Sequence, residues 1–393
     1  MFDRVRTKNY SPGFVLLFVI LLFAPNIYAQ SGTDQAVNDG EKNNIPKADT
    51  GHLILEKIKC FDFGKEFEGV KEVQFSKTGS SLIVKTMSKL DLFPRRLYHL
   101  DTSNGKSKVI IDPLHSRRGV VGKASNRLLW TVKDKKELLL NELPENQDNP
   151  DDLGTEHRIK LQDPEQFRSV VAGSIQHNFI VEEWRDDELR IVDLKSGKIK
   201  HFLKMGIVPD AVALSKDETL LAVCGMPQEA WGTGDQMENS KSSFVYVWNT
   251  KTGKLLYKRI LGYRVFMVKF CADDSMLICS GGVIVYLEGE TGEGHLDIIQ
   301  LKKNGWSWHY HNAVYIQAAD LIDNQHIAVG LESGKLQIIN YKEAILISEK
   351  QAHPWNITSV TVKDNLIASG GHYGKVCLWE LKKQAKQPNA SGK

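Results

Sequence analysis

A strand–turn–strand pattern that returns along the chain restricts the fold more than any other feature. "EVQFSKTGSSLIV", "AVALSKDETLLAV", "MVKFCADDSMLIC" and "SVTVKDNLIAS" each set two short apolar alternations around a turn of Asp, Gly, Ser or Lys. That is the signature of a β-hairpin. A second pattern follows in "RLYHLDTSNGKSKVI", "LRIVDLKSGKIKHF" and "FVYVWNTKTGKLLYKR". There an apolar strand ends in Asp or Asn, and a polar turn carries Gly and then Lys before the next strand. Gly suits such a turn because positive φ is reached without a Cβ clash. Helical periodicity is nearly absent. Two hairpins in series make a four-stranded unit, and the unit recurs every ~40–60 residues, a period that predicts an all-β chain folded as a β-propeller of about seven blades.

The last copy resembles the WD40 repeat. Ala352-His353 stands where that family has Gly-His, "SVTVKDNLIASGGHYGKVCLWEL" follows, and Trp379-Glu380 occupies the Trp-Asp place. Trp248-Asn249 and Val192-Asp193 are weaker matches, and "LLLNELPEN" and "LQIINYKEA" are eroded. The resemblance implies structural roles for Trp248 and Asp193, and a hydrogen-bonded network of His353, Ser369 and Trp379. The family's turn Asp is replaced by Tyr373, which predicts an incomplete network. The last copy stops after its third strand, near Leu381, and an unpaired edge exposes backbone donors and acceptors. Ring closure as in that family therefore implies that residues 53–63, within "HLILEKIKCFDF", complete the last blade. If the turn at 250–253 sets Tyr246 opposite Tyr257, Cys377 takes the Tyr246 place and Cys60 falls near the Tyr257 place. Cysteines facing each other on adjacent strands come within bonding distance, so a Cys60–Cys377 disulfide is expected. The alternative is two buried thiols in a register different by one or two residues.

The ends point to export. Arg4, Arg6 and Lys8 precede the apolar run "FVLLFVILLFA", and Ala29 offers a cleavage point, so residues 1–29 read as a signal peptide. The run is shorter than the roughly twenty residues a bilayer requires; an uncleaved anchor is the alternative. Residues 30–51 read as a flexible leader and 383–393 as a disordered tail, being polar and without apolar periodicity. That leaves 52–382 for the propeller. The expected location is the periplasm or the exterior, with no stable membrane span after cleavage. A net charge of +3 with dispersed basic residues gives no footprint for nucleic acid. Five cysteines leave at least one unpaired; Cys224, Cys271 and Cys279 lie in apolar runs as buried thiols.

Several loops are long enough to carry function. "GMPQEAWGTGDQMENSKSS" holds Trp231, "KLDLFPRR" holds Phe93, Arg95 and Arg96, and "GGVIVYLEGETGEG" interrupts the fifth unit. "NGWSWHYHNAV" is the densest aromatic stretch; as a strand it turns Trp306, Trp308 and Tyr310 one way and His309 and His311 the other. The expected binding rim comprises Trp231, Trp306, Trp308, His309, His311, Trp355, Tyr373, Phe93 and Arg95. Two His at that spacing suit a metal, but the stretch supplies no third ligand, and His353 and His372 lie a blade away. No metal and no cofactor are expected. GxSxG, HExxH and phosphate-cradling loops are absent, and Asp186 and Asp187 fit a tight turn. The expected function is a scaffold binding a protein or peptide partner through one loop-rich rim. The alternatives are a hydrolase or lactonase-like enzyme with a metal or acid pair at the channel mouth, and a carbohydrate-binding surface on Trp231, Trp306 and Trp355.

Overall fold

The computed structural model describes residues 53–63, 67–76, 78–88, 96–111, 120–121, 128–133, 137–142, 156–160, 169–174, 177–185, 188–227, 242–271, 273–283, 292–301 and 307–383. The expected signal peptide and leader, residues 384–393 of the expected tail, and Phe93, Arg95, Asp186, Asp187, Trp231 and Trp306 lie outside them; Lys383, expected in the tail, instead ends a strand and pairs with Leu53.

The regular structure is antiparallel β-sheet throughout, in four-stranded meanders. β1 (Leu53–Asp62) precedes the first meander, β2 (Phe67–Phe75), β3 (Ser81–Ser88), β4 (Leu97–Asp101) and β5 (Ser107–Ile111). The second holds β6 (Val120–Val121), β7 (Leu128–Lys133), β8 (Glu137–Glu142) and β9 (Glu156–Lys160); the third holds β10 (Ser169–Ser174), β11 (Phe179–Arg185), β12 (Glu188–Asp193) and β13 (Ile199–Lys204). The fourth is β14 (Ile207–Leu214), β15 (Leu220–Pro227), β16 (Ser243–Asn249) and β17 (Leu255–Leu261); the fifth is β18 (Arg264–Phe270), β19 (Met276–Val283), β20 (Glu293–Gln300) and β21 (Ser307–Asn312). The sixth comprises β22 (Ile316–Leu321), β23 (His326–Leu331), β24 (Lys335–Asn340) and β25 (Ile345–Gln351). The last has only three consecutive strands, β26 (Ile357–Lys363), β27 (Leu366–Gly371) and β28 (Lys375–Lys383), and β1 supplies its fourth. Six sheets are built from strands of five residues or more; in the second, β6 is a two-residue strand.

Successive sheets meet through their first strands: β10 against β14, then β14 on β18, β18 on β22, β22 on β26, and β26 on β2. The apolar faces of neighbouring sheets close on one another. The fourth and fifth sheets share a core that includes Val245, Val265 and Leu277. The sheet of β26–β28 and β1 stands between the first and the sixth, so both ends of the described chain meet in one sheet.

One irregularity repeats. The pairing of the first strand with the second shifts register in six sheets, at Val70/Glu72, Val170/Ala172, Pro209/Ala211, Val265/Met267, Ile316/Ala318 and Ile357/Ser359. A bulge at the same place in each unit bends the first strand. A second shift, between third and fourth strands, corrects the expected pairing of Tyr246. It faces Lys258, not Tyr257, because the ladder slips by one between Val247 and Trp248. The same slip between Lys57 and Lys59 sets Cys60 opposite Cys377, and the two are joined by a disulfide. Cys60 therefore holds the Lys258 place, one residue from where an unbulged count puts it. The other three cysteines are buried thiols.

The Asp or Asn that ends the third strand is a turn cap. Asp101 Oδ1 accepts from the backbone N–H of Ser103 at 2.8 Å, and Asp193 Oδ1 from those of Lys195 and Ser196 at 3.1 and 2.8 Å. Asn249 and Asn340 bond the amides two and three residues on in the same way. Lys200 and these donors hold the Asp193 carboxyl well below the ordinary carboxylate range. In the last sheet no such turn exists, because the next strand comes from the other end of the chain. Glu380 stands at that position and accepts from Asn365 Nδ2 at 3.1 Å.

Candidate functional site

Two places gather functional side chains. The first is the end of the sheets carrying the connections between second and third strands and between successive sheets. Trp355 lies in the connection into β26 and is 63% exposed; Tyr373 lies in the β27–β28 turn, 42% exposed, at φ 62°. Their chain neighbours bond each other: His372 N–H donates to the Asn356 carbonyl at 3.2 Å, and Asn356 Nδ2 lies 3.4 Å from His372 Nε2. The Trp355 loop is also pinned to the β23–β24 turn, where the N–H groups of Ala352 and His353 donate to the Gly334 carbonyl at 2.9 and 3.0 Å. Gly334 has φ 78°, and a Cβ there would overlap the His353 carbonyl. Glu332 stands on the same turn; burial raises its carboxyl above the ordinary range, opposed by nearby His372. The two aromatics thus project from loops already fixed by backbone bonds.

Beneath Trp355 the network expected from the repeat is present. His353 Nε2 lies 2.9 Å from Ser369 Oγ, and Trp379 Nε1 donates to the same oxygen at 3.1 Å. His353 Nδ1 is buried with no hydrogen-bond partner among the described residues, as expected where the turn Asp is missing. Trp248 is buried too, but its Nε1 has no partner among the described residues; it packs on Tyr246, ring centroids 6.1 Å apart.

Trp308 lies away from the rim, which corrects its place in the expected grouping, whereas His311, paired with His295, stands at the rim end of β21. Trp308 is the second residue of β21, next to a third-to-fourth-strand turn at the opposite end. It is partly buried, stacked on Tyr310 at 5.8 Å and tilted on Tyr341 at 6.0 Å. Its role is packing between the fifth and sixth sheets. His309 and His311 point to the other face, as strand alternation requires.

That face forms the second place. β20 sets Glu293, His295 and Asp297 on one side, and the register pairs His295 with His311 and Asp297 with His309. Asp297 is buried and accepts from Tyr263 Oη at 2.7 Å; His309 Nδ1 lies 3.1 Å from the same carboxylate oxygen. His309 Nε2 lies 3.3 Å from His295 Nδ1, and Tyr263 stacks on the His295 ring at 4.8 Å and 17°. Glu293 Oε2 lies 3.3 Å from His311 Nε2 and 4.0 Å from His295 Nε2. Burial, then the neighbouring His309 and His311, push His295 down to about 4. Burial, and next the Asp297 carboxylate, push the Tyr263 hydroxyl well up. The sequence contained this cluster as "EGH" facing "HYH", but fixing the register needed the β20–β21 pairing. The glycines of that segment serve the strand: a Cβ at Gly294 would overlap the Val314 carbonyl where the chain crosses into the sixth sheet.

No family model matches the chain, and no curated protein matches it. Among the described residues no helix is long and apolar enough to cross a membrane.

Proposed function

We propose that this chain is an exported scaffold that binds a protein or peptide partner on the rim carrying Trp355 and Tyr373. The observation behind this reading is the exposure of Trp355, a large aromatic held out by a loop whose backbone is already bonded. Tryptophan and tyrosine carry a large share of the energy in protein interfaces, and a fixed loop loses little entropy on docking. The disulfide between Cys60 and Cys377 supports export, because such bonds persist in oxidising compartments. The repeated bulge and the Asx turns favour a ring of seven WD40-like blades, in which the first and second sheets close the circle.

The test is affinity capture from the exported fraction with the mature chain. A stoichiometric partner is expected with the wild type and is lost with Trp355→Ala/Tyr373→Ala, whose melting is unchanged because both side chains face solvent. Equal recovery by the double variant overturns the assignment.

A further inference from the structure

We propose that Glu293, His295 and His311 form a binding site for a divalent transition-metal ion of the zinc class. Two imidazoles and one carboxylate are a ligand set this ion takes, and three protein ligands leave a position for solvent or for a donor from a docked partner. One ligand atom from each of the three residues lies within 4.8 Å of the others. Donors around a tetrahedral Zn²⁺ stand about 3.3 Å apart. Glu293 and His311 are at 3.3 Å, and Glu293 and His295 are at 4.0 Å. Glu293 and His311 are 54% and 40% exposed, so their side chains can swing to close the remaining gap. His295 is the fixed member, 15% exposed and held between Tyr263 and the sheet.

The hydrogen-bond chain behind His295 decides which nitrogen is available. Asp297, at 5% exposure, is an acceptor and receives the hydrogen bond that the Tyr263 hydroxyl donates. His309 then donates from Nδ1 to Asp297, which leaves its Nε2 as an acceptor. His295 donates to it from Nδ1, and the lone pair of His295 Nε2 is left facing Glu293. That nitrogen is buried and has no hydrogen-bond partner among the described residues. A bare lone pair beside a carboxylate suits a cation between them, and one metal ion would satisfy Glu293, His295 and His311 together. The carboxylate–His309–His295 relay is the support a ligating imidazole ordinarily has through its second nitrogen. Asp297 and His309 are therefore positioning residues.

The test uses the full mature chain without a polyhistidine tag, stripped with chelator. Calorimetric titration with Zn²⁺ is expected to show one saturable site, and Co²⁺ in its place a visible ligand-field spectrum that Zn²⁺ displaces. His295→Ala and Glu293→Gln/His311→Ala remove both signals. Asp297→Asn weakens Zn²⁺ by about 10- to 100-fold and alters the Co²⁺ spectrum. His326→Ala, in a histidine bonded to Asp323 elsewhere, leaves both unchanged. Circular dichroism and melting in chelator establish that each variant is folded. If His295→Ala fails to fold, Glu293→Gln/His311→Ala on exposed side chains carries the test alone. No saturable Zn²⁺ binding by the wild type, or binding that survives these substitutions, overturns the proposal.

Discussion

His353 is buried at the entrance to the last sheet, with Nε2 on Ser369 and Nδ1 facing no acceptor. Ser369 Oγ accepts the Trp379 Nε1–H bond and directs its own hydrogen toward the Cys377 carbonyl at 3.5 Å, so its oxygen also accepts from His353 Nε2–H. Protonating Nδ1 would place an unbonded cation in the core. Burial, with Lys57 and Lys375 adding to it against the Ser369 bond, takes the imidazole from 6.5 down to about 4. The neutral ring is therefore the native form, and the unfolded chain binds the extra proton between those values. This stabilisation is complete above about pH 6.5 and lost as pH falls towards 4, a total of about 3 kcal/mol. Chemical unfolding of the wild type and His353→Gln at several pH values checks it. Their stability difference should be constant above pH 6.5 and change steadily below, in favour of the variant. A pH-independent difference would contradict the sign. His353, Ser369 and Trp379 were expected as a set because the last repeat resembles a WD40 repeat, and all three lie within that one stretch. The Glu293–His295–His311 cluster was not visible, because its members belong to strands whose register no single stretch fixes.

Turns show the same division between what a short stretch specifies and what pairing decides. The Asp/Asn–x–x–x–Gly pattern after the third strand was legible because each residue acts on its own neighbours. Gly105, Gly197 and Gly253 hold φ of 75°, 65° and 66° in the first, third and fourth sheets. The sixth sheet departs from it: Ala344 takes that place after Asn340, at φ 55°. A side chain in the left-handed region costs roughly 1–2 kcal/mol, while glycine's greater unfolded freedom returns part of it. Ala344→Gly is therefore expected to stabilise the chain by roughly 0.5–1 kcal/mol, unusual for a change to glycine. Thermal unfolding measures it, and Gly253→Ala should shift the midpoint the other way. The bulges were the part no pattern revealed, since an extra residue in a strand changes only pairing. They explain why counting from an unbulged hairpin misplaced Tyr246 by one residue yet still brought Cys60 beside Cys377.

Across the whole molecule, one strand joins the ends. β1 buries only Leu55 and Phe61 deeply, and the rest of it is largely exposed. Its attachment rests on the ladder to β28, those two anchors and the disulfide, which closes a sequence separation of 317 residues. Cross-linking so long a loop restricts the unfolded chain strongly, and roughly 2–5 kcal/mol of stability is expected from it. Cys60→Ser/Cys377→Ser should lower the midpoint of unfolding accordingly, with Cys224, Cys271 and Cys279 left as the control thiols. Hydrogen exchange separates a local from a general effect: amides of β1 and β28 should lose protection first, while β14–β17 keep theirs until global unfolding. Loss of protection everywhere at once would mean that the last sheet has no independent opening and the staple acts on all the sheets as one unit. An unchanged melting midpoint would assign the closure to the ladder alone and remove the reason to expect dependence on an oxidising compartment.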